Sequence, residues 1–358
     1  MANGATVCPL RNTSLSVLGS ETTPGLVCAH HHLYSALARG MPPSPKVAST
    51  FREILEQVWW RLDVALDLEM IEWSAKLGAL EALEAGTTTI IDHHESPTAI
   101  EGSLSVIAAA CSEVGVRVVP AYGVTDRHGP QGAKQGLAEN ERFLKGGGEG
   151  LVGIHAAFTC SNETLEAAAG LAIELGVGVH IHVCEGREDL EAPPRLMHLS
   201  RPDWLLAHSV HLITDHQIQG TIVHNPASNL NNGVGYADPR RFANPVALGT
   251  DGIGADVLGA FRLAHYLHRS VDPTASPEAA WRWLATGWDL VPSAKMDRVT
   301  WSYSPMEPWH VAFTPVVRPI EIEIKGEVVW KDGAPTRVDP VEIRAKAQEQ
   351  ARRLHARL

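Results

Sequence analysis

The sequence predicts an α/β protein built on a closed (β/α)8 barrel. Short apolar, β-rich runs recur eight times, most of them separated by helical patterns, and strand–helix–strand repetition implies parallel pairing. The last residues of these runs are polar, repeatedly His or Asp, and barrel enzymes carry their chemistry at the C-terminal ends of the strands. The chain has 358 residues, enough for a barrel of roughly 250 residues plus a minor domain. An open doubly wound sheet would need a Gly-rich phosphate turn after an early strand, and the chain has no G-x-G-x-x-G.

The expected strands are Leu26–His30, Thr87–Asp92, Val116–Ala121, Leu151–His155, Val177–His182, Trp204–His208, Thr221–His224 and Val246–Asp251. A long helical stretch, Phe51–Glu84, separates the first two and is ended by Gly86. Ser103–Val114 and Ser161–Leu175 also read as helices, the second with Ser161 as its cap. Met41-Pro42-Pro43-Ser44-Pro45 is a stiff loop placed to border the pocket. In the tail, Ile320, Ile322 and Ile324 alternate with Glu321, Glu323 and Lys325, so Val317–Lys325 and Val328–Trp330 read as antiparallel strands joined across Gly326-Glu327. They are expected to pair with Ser14–Leu18 in a side domain. The basic residues between Arg344 and Arg357 alternate with Ala, Glu and Leu and read as a solvated terminal helix. The organisation expected is a side domain from residues 1–23 and 313–340, a barrel over 24–312 and a C-terminal helix over 341–358.

Hydrophobic residues make up 44% of the chain, ordinary for a globular protein. The formal net charge is −11, which argues against a nucleic-acid surface. No apolar run approaches the roughly 20 residues needed to span a bilayer, and the opening MANGATVCPLRNTSL has no apolar signal core. The expectation is a cytoplasmic protein with neither a nucleic-acid nor a membrane partner. The five cysteines are scattered and form no C-x-x-C, so neither a disulfide framework nor a thiolate zinc site is indicated.

His30-His31-His32 closes the first strand. Residues two apart on a strand share a face, so His30 and His32 reach one ion while His31 points away. Paired neutral imidazoles are half of a zinc or iron site. His182 ends the fifth strand and Glu185 follows three residues later. A carboxylate there can take a proton from an activated water and pass it to a leaving group. Alone, His182, or His180 two residues deeper in the barrel, reads equally as a packed core histidine. Asp251 ends the last strand among Gly249, Gly252 and Gly254; it suits an ion, although an Asp there also reads as a helix N-cap. His208 can polarise water or hold an oxyanion, and His155 is placed to touch substrate. His224, Asn225, Ser228 and Asn229 form a polar turn. His93 and His94 follow Asp92, and Cys184 should face away from the ion. No G-x-S-x-G elbow is present.

The segments PGLVCAHHHLYSALARGMP, EAGTTTIIDHH, HIHVCEGRED, LLAHSVHL, VHNPASNLNNGVGYA and ALGTDGIGAD resemble the amidohydrolase superfamily. The branch is its mononuclear, cytosine-deaminase-like, ATZ/TRZ (chlorohydrolase) one. DHHESP, SNLNNGVGY and GTDGIGAD resemble the SsnA-type aminohydrolases linked to purine catabolism. The resemblance implies a distorted (β/α)8 TIM barrel with a small β-sandwich built from both termini. It implies one divalent ion, Zn2+ first and Fe2+ as the alternative, held by His30, His32, His182 and Asp251. It implies Glu185 as proton shuttle and His208 as stabiliser of the water or tetrahedral intermediate, with Asp251 and His208 orienting and deprotonating that water. Substrate contacts would come from His155, Asn229 and His94, and homodimers are common in the family. No lysine stands at the end of the fourth strand, where a bridging carbamate would be carried.

The implied activity is a metal-dependent aminohydrolase acting on an amino-substituted N-heterocycle such as a purine, pterin or pyrimidine derivative. The rivals are a ring-opening amidohydrolase or chlorohydrolase using the same site, and a trimmed, catalytically degenerate metal-binding barrel. Trimming is visible between Glu185 and His208, which carries Pro193-Pro194. It is also visible between His211 and Thr221, near the lower limit for a crossover.

Overall fold

A computed structural model describes residues 20–358. Eight parallel strands form the barrel: β2 (Leu26–His31), β3 (Thr87–His94), β4 (Arg117–Val124), β5 (Val152–Ala156), β6 (Val179–Val183), β7 (Leu205–His208), β8 (Thr221–His224) and β9 (Val246–Leu248), paired in that order. The seam between β9 and β2 is closed by the Thr250 and Asp251 amides, each donating to the His30 carbonyl at 3.0 Å. Gly249 makes this approach feasible: a Cβ there would lie 2.3 Å from Asn225 Oδ1 and 2.9 Å from the His30 carbonyl. Sequence-distant His30 and Asp251 therefore meet because the barrel closes on them.

The burial alternates as a barrel requires. Val27, Ala29, Ile91, Val119, Leu205, Val223 and Ala247 form one apolar cluster inside it. Ile154, Val179, Ile181, Val183, Leu206 and Ile222 pack outward with Leu165, Ala168 and Trp204. Helix Asn162–Leu175 starts as expected, with Ser161 Oγ accepting from the Thr164 amide at 3.2 Å. Ser103–Val114 is helical over the expected span.

Several elements depart from expectation. The stretch Phe51–Glu84 is not one helix. It breaks at Leu66, whose backbone is extended, and restarts as Leu68–Glu84 because Asp67 caps it, accepting from the Met70 amide at 2.9 Å. A π turn over Leu55–Trp59 interrupts the first part. The shortened connections contain one turn each of 3-10 helix and α-helix (Arg187–Asp189 and Ala192–Leu196) between β6 and β7, and no helix between β7 and β8. Leu196, Leu212 and Ile218 cover the strands there instead.

The side sheet has five strands in the order β1 (Glu21–Thr23), β10 (Arg298–Trp301), β11 (Pro319–Ile324), β12 (Glu327–Lys331) and β13 (Ala334–Pro335). Neighbours in it pair antiparallel. Arg298–Trp301, assigned by the sequence to the barrel segment, belongs to this sheet, and β1 pairs with it. Among the described residues it is one sheet rather than a two-sheet sandwich. Ser14–Leu18 lies outside the described residues. The β11–β12 turn is Lys325-Gly326, both at positive φ, the geometry of a tight hairpin. Helix Pro340–His355 is more than a solvated tail: Ile343, Ala347, Gln350 and Leu354 are buried. The i, i+4, i+7, i+11 spacing gives one buried stripe, apolar except for Gln350. No helix among the described residues is long and apolar enough to cross a membrane.

Candidate metal and proton-transfer site

The barrel mouth gathers the strand-end residues. His32 Nε2 lies 2.9 Å and His30 Nε2 3.2 Å from Asp251 Oδ1. His182 Nε2 lies 3.3 Å from His32 Nε2. Each imidazole is held by its other nitrogen. His32 Nδ1 donates to the His93 carbonyl and His182 Nδ1 to the His155 carbonyl at 2.6 Å, while His30 Nδ1 and His180 Nε2 share a hydrogen bond at 2.8 Å. These bonds orient the three rings and bring their Nε2 atoms together. Ser228 Oγ donates to the other Asp251 oxygen. Ligand atoms of His30, His182, His208 and Asp251 all lie within 4.8 Å of one another.

Burial keeps His30 and His182 well below the ordinary imidazole range, so both are neutral. Burial also opposes charge on His32 and Asp251, but their mutual attraction outweighs it. Asp251 is held well below the usual carboxylate range and His32 is pushed up to about 9. Backbone strain concentrates at the same rim. Cys184, His208, Ser209 and Asp251 adopt positive φ of 48°, 71°, 53° and 54°, a cost that surrounding structure must hold in place. Cys184 faces away, its thiol donating to the Asp189 carbonyl at 3.2 Å.

His208 Nδ1 donates to Asn229 Oδ1 at 2.8 Å, which turns its Nε2 to within 3.5 Å of Glu185 Oε2. Glu185 Oε1 accepts from Asn232 Nδ2 at 3.1 Å. Burial, reinforced by the Asp251 charge, holds the Glu185 carboxyl above its ordinary value. One cavity is lined by His32, His155, His182, Glu185 and Asp251, and its apolar wall is Tyr34, Phe51, Leu55, Trp59, Trp60 and Phe158. His155 Nδ1 is bonded to Thr159 Oγ1 at 2.7 Å, and its Nε2 faces Glu95 Oε1 at 3.5 Å. Arg127 bonds Asp63 and Glu95, stacks 4.5 Å from the Trp60 ring centroid, and so braces that wall.

Two expected substrate contacts lie outside the lining of this cavity. Asn229 does not line the cavity; it orients His208 from behind. His94 does not line it either, because it points outward and bonds Ser96 Oγ at 2.9 Å. The inward histidine is His93, its ring 4.5 Å from that of His182. Strand parity was the signal: Ile91 sits in the barrel interior and Ile90 outside it, so His93 follows Ile91 inward. The loop Met41–Pro45 is not among the lining residues; the segment after it supplies the wall. Trp59, Trp60 and Phe51 had no sequence signal beyond being apolar in a helical pattern.

Fold and site together define a (β/α)8 barrel carrying an imidazole–carboxylate cluster at the C-terminal ends of its strands. The chain belongs to the amidohydrolase family, whose profile matches residues 22–285. It is 33% identical over 287 residues to a 5'-deoxyadenosine deaminase of Methanopyrus kandleri, covering 71% of this chain and 63% of that one. It is 31% identical over 266 residues to a 5-methylthioadenosine/S-adenosylhomocysteine deaminase of Symbiobacterium thermophilum, covering 66% and 58%. The chain thus spans less than two thirds of these relatives' length. Its fold resembles a zinc-bound adenosine deaminase from Xanthomonas campestris, with TM-score 0.77, 19% identity and coverage of 94% and 86%. It also resembles the zinc-complexed atrazine chlorohydrolase TrzN of Arthrobacter aurescens TC1, with TM-score 0.73, 20% identity and coverage of 93% and 88%.

Proposed function

We propose that this protein is a metal-dependent aminohydrolase that removes the exocyclic amine of an amino-substituted N-heterocycle. Adenine nucleosides are the first class to test, since the relatives above are named for them. The observation that carries the reading is a single cavity in which Glu185, His32, His182 and Asp251 face a wall of aromatic rings. A planar heterocycle stacks on such a wall, which sets its C(=N)–NH2 edge against the polar residues.

His30, His32, His182 and Asp251 are the residues that would hold the ion, zinc first. Their fit rests on two imidazole nitrogens, of His30 and His32, against one Asp251 oxygen, with His182 Nε2 beside His32 and each ring held from behind by its other nitrogen. A bound divalent ion supplies Lewis-acid activation of water near neutral pH. Asp251 accepts the proton of the attacking water. Glu185, buried and in reach of His208, delivers its proton to the ring nitrogen; the proton taken by Asp251 then passes to the departing amine, and the hydroxyl proton of the collapsing tetrahedral carbon returns to Glu185. His208 Nε2 stabilises the oxygen that becomes tetrahedral. His155 and the Trp59–Trp60 wall position the ring.

Elemental analysis of the zinc-reloaded protein, followed by an ammonia assay, tests this. The expected result is about one ion per chain, lost in His182→Ala and retained in Glu185→Gln, with turnover lost in both. Full turnover in Glu185→Gln would remove the shuttle.

A further inference from the structure

We propose that His32, His93 and His182 form a second resting position for the same divalent ion, on the His93 side of the barrel mouth and exclusive of the first. It rests on the metal reading above. Ligand atoms of these three side chains lie within 4.8 Å of one another. His32 Nε2 and His182 Nε2 are 3.3 Å apart, close to the roughly 3.4 Å that separates neighbouring nitrogens around a tetrahedral zinc with Zn–N near 2.1 Å.

His93 completes the set by its chemistry. It is fully buried. Its Nε2 donates to the Ile154 carbonyl at 3.0 Å, which places the ring proton there and leaves Nδ1 as a bare lone pair. That Nδ1 has no hydrogen-bond partner. An unpartnered buried nitrogen costs free energy, and an ion ligated by it removes the cost. The surrounding rings repeat the pattern, with His93 5.1 Å from His180 and 5.6 Å from His32 between centroids.

The two positions cannot fill together. His182 belongs to both sets, its Nδ1 is committed to the His155 carbonyl, and its Nε2 has one lone pair. His93 is absent from the set that contains Asp251 and His208, and they are absent from the set that contains His93. An ion on the His93 set therefore leaves the Asp251 carboxylate and His208 without it. This is a storage position with three imidazoles, selective for the borderline divalents that imidazole suits, such as Zn2+ and Co2+, over Mg2+ and Ca2+. It is not half of a two-metal centre.

The test uses the full chain loaded with Co2+ and Zn2+, with stoichiometry read by elemental analysis and ligation by cobalt absorption and zinc K-edge absorption. The wild type should hold one buried ion per chain even in excess metal. Asp251→Asn, which keeps the contact with Ser228, should still hold one ion, now with an all-imidazole spectrum. Adding His93→Gln to it should weaken retention by at least about tenfold. His93→Gln alone should keep one ion, as should His94→Gln. Loss of the ion from folded Asp251→Asn, or its undiminished retention in the double variant, would overturn the second position. So would two ions in the wild type. No ion in any variant, wild type included, would instead sink the metal reading itself.

Discussion

Replacing Asp297 by alanine should destabilise the protein without touching its site. Asp297 and Arg117 form a two-pronged pair, Nη1 to Oδ2 at 2.6 Å and Nη2 to Oδ1 at 3.0 Å, with side chains 0% and 3% exposed. Thr88 Oγ1 donates to Asp297 Oδ2 at 2.9 Å and Thr89 Oγ1 accepts from Arg117 at 2.8 Å. The pair joins the start of β3 and β4 to the residue before β10, and so ties barrel to side sheet. Asp297→Ala leaves a guanidinium buried with no counter-charge, which costs about 3–5 kcal/mol. At roughly 2 °C per kcal/mol for a chain of this size, the midpoint of thermal unfolding should fall by at least about 6 °C. Arg117→Met combined with Asp297→Leu removes both charges and should recover most of that loss. Both variants should bind as much zinc per folded chain as the wild type, because the pair lies at the opposite end of the strands from His30 and His182. A loss below about 1 kcal/mol for Asp297→Ala, or a double variant no more stable than the single, would refute the reasoning.

Three further outcomes are expected. Asn229→Ala should lower turnover about 10–100-fold with zinc retained, since His208 loses the partner that aims it; unchanged turnover would show that Asn229 does not orient His208. Burial pushes the Asp189 carboxyl up to about 7 against the amides of Cys184 and Phe158. A raised carboxyl favours the fold when protonated, so its contribution is present below the ordinary value near 3.8 and lost as pH rises through about 7. The thermal midpoint of the wild type should therefore decline relative to Asp189→Asn over that window, and parallel pH profiles would contradict this. Gly153→Ala would place a Cβ 2.3 Å from the Tyr122 carbonyl oxygen, a backbone atom that cannot yield. It should cost about 1–3 kcal/mol in denaturant unfolding, and a neutral result would show that β4 and β5 can separate.

The barrel and most of its rim were legible because both follow from local rules. Short apolar runs ending in polar residues located all eight strands, and the terminal residues His30, His182, His208 and Asp251 converge in space. The roles of Asn229 and His94 were not legible in the same way. The strand containing His94 runs two residues further than its apolar pattern, to His94 itself, and only its parity separates the inward His93 from its neighbour. The break at Leu66-Asp67 had a signal, Asp67 before a helical run, that the surrounding helical pattern masked. Arg298–Trp301 is four residues long and gains its identity from Glu21–Thr23 and Pro319–Ile324, which are distant in sequence. The aromatic wall depends on a π turn at Leu55–Trp59, and no periodicity announces which consecutive tryptophans will share a cavity.

The most direct test of the central claim is ammonia release from aminated purine nucleosides, 5'-deoxyadenosine first, by the zinc-reloaded chain beside its Glu185→Gln variant. The account predicts stoichiometric ammonia with the heterocycle intact, and none from the variant. A folded, zinc-loaded chain that frees no ammonia from purine, pterin or pyrimidine amines, or a variant that frees as much, would contradict it.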